Sequence, residues 1–82
     1  MQVKIISLKG ILFDSKIKSL NVMTGAGEIT VLPQHRPLLV AVNPCVIKIV
    51  DEQNNEQFFE AGEGFLEVKR NKDQTFLTVL VG

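Results

Sequence analysis

The segment GEITVLPQHRPLL, residues 27–39, decides which fold this chain can adopt. It holds two of the three prolines and the only histidine. Each proline fixes its own φ, lacks a backbone donor and disfavours helical geometry in the residue before it. We therefore expect a short strand over residues 28–32, a stiff corner over residues 33–37 and a second, more apolar strand over residues 38–42. The corner is either a recognition surface or simply the connection that a β-sandwich needs.

Outward from this corner, the chain is a series of short strands separated by turns. Apolar and polar residues alternate in most segments, and no window has a helical period. This pattern predicts an all-β fold, an antiparallel β-sandwich or flattened barrel of about ten short strands, in one domain over residues 1–82. The other strands are expected at residues 2–8, 11–13, 16–23, 46–50, 57–61, 65–69 and 74–81, with a turn at Asp14 and Ser15 between the second and third of these.

The segment at residues 16–23 has a fault in its alternation. Ile17 is out of phase with Leu20 and Val22. A β-bulge inserts one extra residue into a strand and so reverses the phase of the residues after it. A bulge near Ser19 would direct all three apolar side chains into the core. Elsewhere, the asparagines at 54 and 55 tolerate positive φ, which suits the loop expected at residues 51–56.

Composition excludes several classes of protein. Nine basic and nine acidic residues balance, so no basic surface for nucleic acid is expected. A single cysteine cannot form an internal disulfide. The longest uncharged run, residues 37–47, is much shorter than the ~20 residues of a membrane-spanning helix. We expect neither a nucleic-acid partner nor direct insertion into a membrane.

The search for catalytic chemistry finds no set of residues that could carry it. One histidine and one cysteine cannot supply the four ligands of a structural zinc site. Cys45 and His35 lie on different expected turns, and no third residue is placed to orient the imidazole. The glycine-rich turn at residues 24–27 lacks the lysine and the following helix of a phosphate-binding loop. The chain is therefore predicted to be non-catalytic, with no metal and no cofactor.

Several segments carry a family resemblance. The pattern Gly-Glu-x-x-Val-Leu-Pro-x-His-x-Pro-Leu-Leu fills residues 27–39, and Ile-Leu-Phe, Ser-Leu-Asn-Val, Gly-Phe-Leu-Glu-Val and Thr-Val-Leu begin at residues 11, 19, 64 and 78. In this order and spacing they resemble the epsilon subunit of F-type ATP synthases, the counterpart of the mitochondrial delta subunit. The resemblance covers nearly the whole chain and implies the family's N-terminal domain, a ten-stranded β-sandwich.

The resemblance also implies a role. In that family the sandwich is a non-catalytic rotor subunit of the central stalk, which packs on the gamma subunit and meets the polar loops of the membrane-embedded c ring. It thereby helps to couple proton or sodium flow to rotation and ATP synthesis. Carried over by position, the implied c-ring contacts are Gly27 and Glu28, and the implied gamma contacts are Ser7, Val31, Leu32, Pro33 and His35. We expect Val31, Leu32 and Pro33 to form part of an exposed apolar patch.

The chain departs from the family pattern at three places. Cys45 stands where the family usually has glycine, and Glu63 where it often has the first of two glycines. We expect an ordinary turn conformation at Cys45. The family normally continues into a C-terminal helical hairpin after the point where this sequence ends; if the chain is complete at Gly82, regulation through that hairpin is not expected.

The implied location is peripheral, on the cytoplasmic face of a bacterial plasma membrane, with a plastid thylakoid as the less favoured site. The alternative function is a free-standing β-sandwich module that binds another protein.

Overall fold

The computed structural model describes all 82 residues, Met1–Gly82. It is all-β and contains no helix that could cross a membrane. The eight strands are β1 (Gln2–Ser7), β2 (Gly10–Thr24), β3 (Gly27–Val31), β4 (Leu38–Val42), β5 (Cys45–Asp51), β6 (Glu56–Ala61), β7 (Gly64–Asn71) and β8 (Gln74–Val81).

The strands form two layers joined into one hydrogen-bonded sheet. The five-stranded layer has the order β2–β1–β8–β7–β4, using the first half of β2. The four-stranded layer has the order β3–β2–β5–β6, using the second half of β2. Every pairing is antiparallel except that of β1 with β8, so the sheet is mixed rather than purely antiparallel.

The strand β2 runs through both layers and joins two of the expected strands, residues 11–13 and 16–23, into one. Asp14 and Ser15 do not turn the chain but pair with Lys4 and Val3 of β1. The Asp14 carboxylate accepts a hydrogen bond of 2.8 Å from the Gln2 side chain. These polar residues are tolerated within the strand because both are exposed.

The bulge expected in β2 is confirmed. The register with β5 shifts between Ile17 and Ser19. With that shift, Ile17, Leu20 and Val22 are all buried. One extra residue thus lets a single strand serve both layers without turning its apolar side chains towards water.

The core between the layers consists of aliphatic side chains from all strands except β6, which adds the partly buried Phe59 and Ala61. Alternation places successive side chains on opposite faces of each strand, so every second residue enters the core. No buried side-chain polar atom lacks a hydrogen-bond partner. The buried apolar residues are Val3, Ile5, Ile17, Leu20, Val22, Val31, Val42, Ile47, Ile49, Leu66, Val68, Leu77, Val79 and Val81.

The connections gather at two ends of the sandwich. At what we call the upper end, Val42 pairs with both Thr24 and Gly64, Gly64 pairs with Val81, and the turns 7–10, 24–27 and 42–45 lie here. At the lower end lie the corner, which spans residues 32–37 in the structure rather than the expected 33–37, the loop at residues 51–56 and the turn at residues 71–74. The candidate site residues are divided between these two ends.

Candidate functional site

The corner at residues 32–37 is fixed to the lower end by hydrogen bonds. The Gln34 amide N–H donates to the Thr75 hydroxyl (3.1 Å), and its side-chain Nε2 donates to the Asp73 carbonyl (2.7 Å). The His35 amide N–H donates to the Leu32 carbonyl (3.2 Å), and His35 Nδ1 donates to the Arg36 carbonyl (2.8 Å). Two prolines and four hydrogen bonds therefore hold the half-buried imidazole in one orientation.

The expected exposed patch is present at two of its three positions. Leu32 is 55% exposed, and Pro33 is exposed beside it. Val31 is fully buried, so its assignment to the patch is wrong. The reason is the alternation of β3, which directs Ile29 and Val31 towards the core and leaves Leu32 outside.

Gly27 and Glu28 lie at the opposite end of β3, on the upper end of the sandwich. The Thr24 hydroxyl donates to the Gly27 carbonyl (2.8 Å) and accepts from the Ala26 amide (3.2 Å). Gly27 has a φ of 115°, a left-handed value that glycine adopts without strain. The turn is therefore rigid in its backbone while the Glu28 carboxylate is exposed and without an ion-pair partner.

Ser7 also lies at the upper end and is not adjacent to the corner. Strands β1 and β8 are parallel, with Gln2 beside Phe76 and Ile6 beside Leu80. Ser7 is thus next to the end of β8, whereas the corner binds Thr75 near its start. Six residues of strand separate these points, or ~20 Å. One partner could contact Ser7 and the corner only by spanning the five-stranded layer.

The structure shows an apolar surface that the sequence analysis missed. Five side chains form one row across the outer face of the five-stranded layer, one from each strand. Successive members are register partners, and Ile11, Leu80 and Phe65 are 59%, 49% and 54% exposed. In strand order this outer apolar row consists of Ile11, Ile6, Leu80, Phe65 and Ala41.

A signal for the outer apolar row exists in the sequence. Neighbouring apolar residues at the upper ends of β1, β7 and β8 leave one of each pair facing outwards: Ile5 and Ile6, Phe65 and Leu66, Val79 and Leu80. Only the register shows that the three outward residues stand side by side.

The outer face of the four-stranded layer is different. There Val46 and Phe58 are exposed but pair with Glu60 and Lys48, and Lys48 forms an ion pair with Glu56 (2.6 Å). Charged residues alternate with apolar ones, as is usual for a solvated sheet face. The contiguous outer apolar row is therefore a property of one layer only.

The match to known families now decides the identity of this fold. The model of the ATP synthase delta/epsilon chain β-sandwich domain matches residues 1–81. The chain belongs to that family. The delta/epsilon chain is a non-catalytic subunit of the ATP synthase central stalk.

Solved structures share this delta/epsilon fold at low sequence identity. A chain of the Euglena gracilis mitochondrial ATP synthase (OSCP/F1/c-ring, rotational state 1) superposes with a TM-score of 0.86 at 15% identity, covering 96% of this chain and 48% of that one. A chain of the Tetrahymena thermophila mitochondrial ATP synthase central stalk and c ring gives 0.75 at 14% identity, covering 98% and 63%. This domain thus spans about half to two thirds of the length of these two chains.

The remaining polar and titratable groups of the delta/epsilon domain have structural roles. No three His, Cys, Asp or Glu residues are grouped so as to hold a metal ion. Cys45 begins β5 without a positive φ, which confirms the ordinary conformation expected there, and Glu63 likewise has none. Asp51 has a lowered pKa, chiefly because its carboxylate accepts the Asn55 amide, an effect that outweighs partial desolvation. It organises a loop and is not part of a reactive group.

Proposed function

We propose that this domain is a coupling element of the ATP synthase rotor, placed between the gamma subunit and the polar loops of the c ring. The observation that supports this is the position of the two candidate contact regions at opposite ends of β3. Gly27 and Glu28 lie at its upper end, and the corner begins directly after its lower end. A rigid five-residue strand, ~17 Å long, separates them.

The c-ring contact would use the Gly27–Glu28 turn. Its backbone is fixed by the Thr24 hydroxyl, and the exposed Glu28 carboxylate is free to pair with basic or amide groups of a partner loop. Such rim charges contribute more to orientation and association rate than to affinity. A polar loop is thus a suitable partner for this end.

The gamma contact would use Leu32, Pro33 and His35, and Ser7 if gamma extends to the upper end. Leu32 and Pro33 give apolar area at the corner, and the fixed imidazole of His35 gives a defined polar contact. Between the corner and Ser7 lies the outer face of the five-stranded layer. Contact with both would cover much of that face.

The same proposal places the domain at a membrane surface without insertion. Its partners would be gamma, the c-ring loops and the rest of the synthase, on the cytoplasmic face of a bacterial plasma membrane. Proton or sodium flow through the c ring would then drive the rotation that this domain transmits.

Binding to the gamma subunit of the same organism tests the proposal. The purified chain should form a 1:1 complex by calorimetry, and His35→Asp should weaken it at least ~10-fold because a carboxylate would be desolvated at the interface. Gln53→Asp adds the same charge to the exposed loop at residues 51–56 and should leave affinity unchanged.

Other outcomes of that experiment are equally informative. Equal affinities for wild type and His35→Asp would move the gamma interface away from the corner. A folded domain that binds no gamma would contradict the rotor role and favour the free-standing interaction module.

The c-ring contact needs its own measurement. Glu28→Lys should reduce binding of the gamma complex to c rings in liposomes while leaving gamma affinity intact, since Glu28 lies at the other end of β3 from the corner and on the other layer from Ser7. Loss of gamma affinity in this variant would show that the two regions are not independent.

A further inference from the structure

The outer face of the five-stranded layer has a symmetry that its amino-acid sequence does not reveal. Strand β8 is the middle of five, with β1 and then β2 on one side, and β7 and then β4 on the other. Leu80 is therefore the centre of the outer apolar row, flanked by Ile6 and Phe65. The next row towards the lower end is centred on Thr78, flanked by Lys4 and Glu67.

These flanking pairs become complementary when two copies are related by a twofold axis that runs parallel to β8 and lies between their outer faces. Such a rotation lays one outer face on another and places the β1 side of one copy against the β7 side of the other. Ile6 then faces Phe65 of the second copy, and Lys4 faces Glu67 of the second copy. Each contact occurs twice, as an isologous interface requires.

We propose that, outside the assembled synthase, a second copy of this chain occupies the outer face of the five-stranded layer. Leu80 packs on its own symmetry mate at the centre of the interface, with the apolar contacts of Ile6 and Phe65 beside it. Two ion pairs between Lys4 and Glu67 fix the register of the two copies. Two sheets can pack in this way with their strands within ~30° of each other.

The outer face of the five-stranded layer is small for a protein–protein interface. Five strands spaced ~4.8 Å apart and five residues rising ~3.4 Å each give a projected footprint of about 24 by 17 Å. This projected footprint, about 400 Å², is roughly half the ~800 Å² per partner of a standard interface. The dimer is therefore reversible, with a dissociation constant on the order of micromolar.

Charge placement also explains why this face, and not the other, pairs with itself. On the four-stranded layer, Lys48 is already satisfied by Glu56 of its own chain at 2.6 Å. On the five-stranded layer, Lys4 has no ion-pair partner, and Glu67 has only a loose one at 3.8 Å, Lys69. Asp14 pairs with Lys4 in the sheet register but accepts its hydrogen bond from Gln2. Lys4 can therefore engage a second copy without breaking an internal ion pair, and Glu67 gives up only its loose pair with Lys69.

Sedimentation analysis across the micromolar range tests the proposal on the purified domain. Wild type should pass from monomer to dimer. Glu67→Lys places two pairs of like charges in the interface and should weaken dimerisation at least ~10-fold. Lys4→Glu should do the same, and the double variant Lys4→Glu/Glu67→Lys should recover dimerisation because the charges are exchanged. Glu60→Lys, on the outer face of the four-stranded layer, is the matched control and should dimerise like wild type.

The outcomes that overturn the proposal are distinct from those that bear on rotor coupling. Wild type that remains monomeric throughout rules out the dimer, and if that monomer binds gamma, the proposed function still stands. Equal weakening by Glu67→Lys and Glu60→Lys would also rule it out, as would failure of the double variant to recover. A dimer that responds to the exchange of charges but does not bind gamma would support self-association and contradict the rotor role.

Discussion

Gly64 is the residue at which two strands of the five-stranded layer approach too closely for a side chain. It opens β7 and pairs with Val81, and a Cβ atom placed on it would overlap the backbone carbonyl of Leu80. The backbone of Leu80 cannot move aside to relieve this overlap, as the end of a flexible side chain could. Glycine in a strand often marks such a close approach.

Gly64→Ala should therefore lower the free energy of unfolding by about 2–3 kcal/mol, the cost of forcing extra volume into a packed site. Urea denaturation of the variant and of wild type measures this difference in the free energy of unfolding. Gly25→Ala is the matched control, since nothing lies within 4 Å of its Cβ position, and its φ is not positive. Equal denaturation midpoints for the two variants would show that β7 and β8 can separate locally without cost.

Asp51 makes the stability of one loop depend on pH. Its Oδ1 accepts the amide N–H groups of Gln53 and Asn55, each at 2.9 Å, and these bonds favour the ionised form and lower its pKa from the ordinary 3.8. A carboxyl with a lowered folded pKa stabilises the fold above its unfolded pKa, and this contribution is lost as pH falls through the folded value.

Asp51→Ala should accordingly lower the melting temperature at neutral pH, and the difference from wild type should shrink below pH 3.8. Glu52→Ala, at the exposed neighbour in the same loop, should have little effect at either pH. A difference that stays constant down to acidic pH would mean that the charge of Asp51 does not matter.

Single residues also show where sequence reasoning reaches its limit. The loop asparagine with positive φ was predicted, and Asn54 adopts 66° because its short side chain tolerates that conformation. Gln34 and Lys72, with φ of 72° and 58°, were not predicted. Gln34 has no local preference for this geometry, which is imposed by its bonds to Thr75 and Asp73, about forty positions away in the chain.

At the scale of elements, the strands were largely predictable and their boundaries less so. Alternation, combined with one bulge, correctly placed Ile17, Leu20 and Val22 of β2 in the core. It failed at Asp14 and Ser15, where two polar residues resemble a turn but lie on an exposed strand. The apolar row on the outer face was missed because it depends on the register of five strands, and no single strand contains that information.

The corner at residues 32–37 depends on one buried hydroxyl. Thr75 is only 3% exposed, and its Oγ accepts the amide of Gln34. Thr75→Val keeps the shape but removes the acceptor, so we expect a loss of about 1–2 kcal/mol in stability, as for other unsatisfied donors. Faster hydrogen exchange at the Gln34 amide would locate the effect. Thr78→Val, where the hydroxyl lies half-buried on the outer face, is the control and should be close to neutral.

At the scale of the whole molecule, β2 makes the two layers one cooperative unit. The core contains residues from both layers, and β1 pairs with β8 at the opposite end of the sequence, with Gln2 beside Phe76. Strand pairs between segments that are far apart in sequence form slowly. We expect folding in roughly milliseconds to seconds and a single unfolding transition.

Hydrogen exchange in increasing denaturant checks this expectation. The amides of Val3 in the five-stranded layer and Ile47 in the four-stranded layer should report the same unfolding free energy, because neither layer can open alone. Separate values for the two layers would contradict it.

The path of β2 also determines how the domain would bear a mechanical load. Two layers held together only by contacts between apolar side chains could slide past one another. Here the backbone also crosses from one layer to the other, within β2 at Lys16–Ile17 and between β4 and β5 at Asn43–Pro44. A shearing force would have to stretch covalent bonds or break the hydrogen bonds of several strand pairs at once. A force applied at the corner would therefore reach Glu28 with little lost to internal slip.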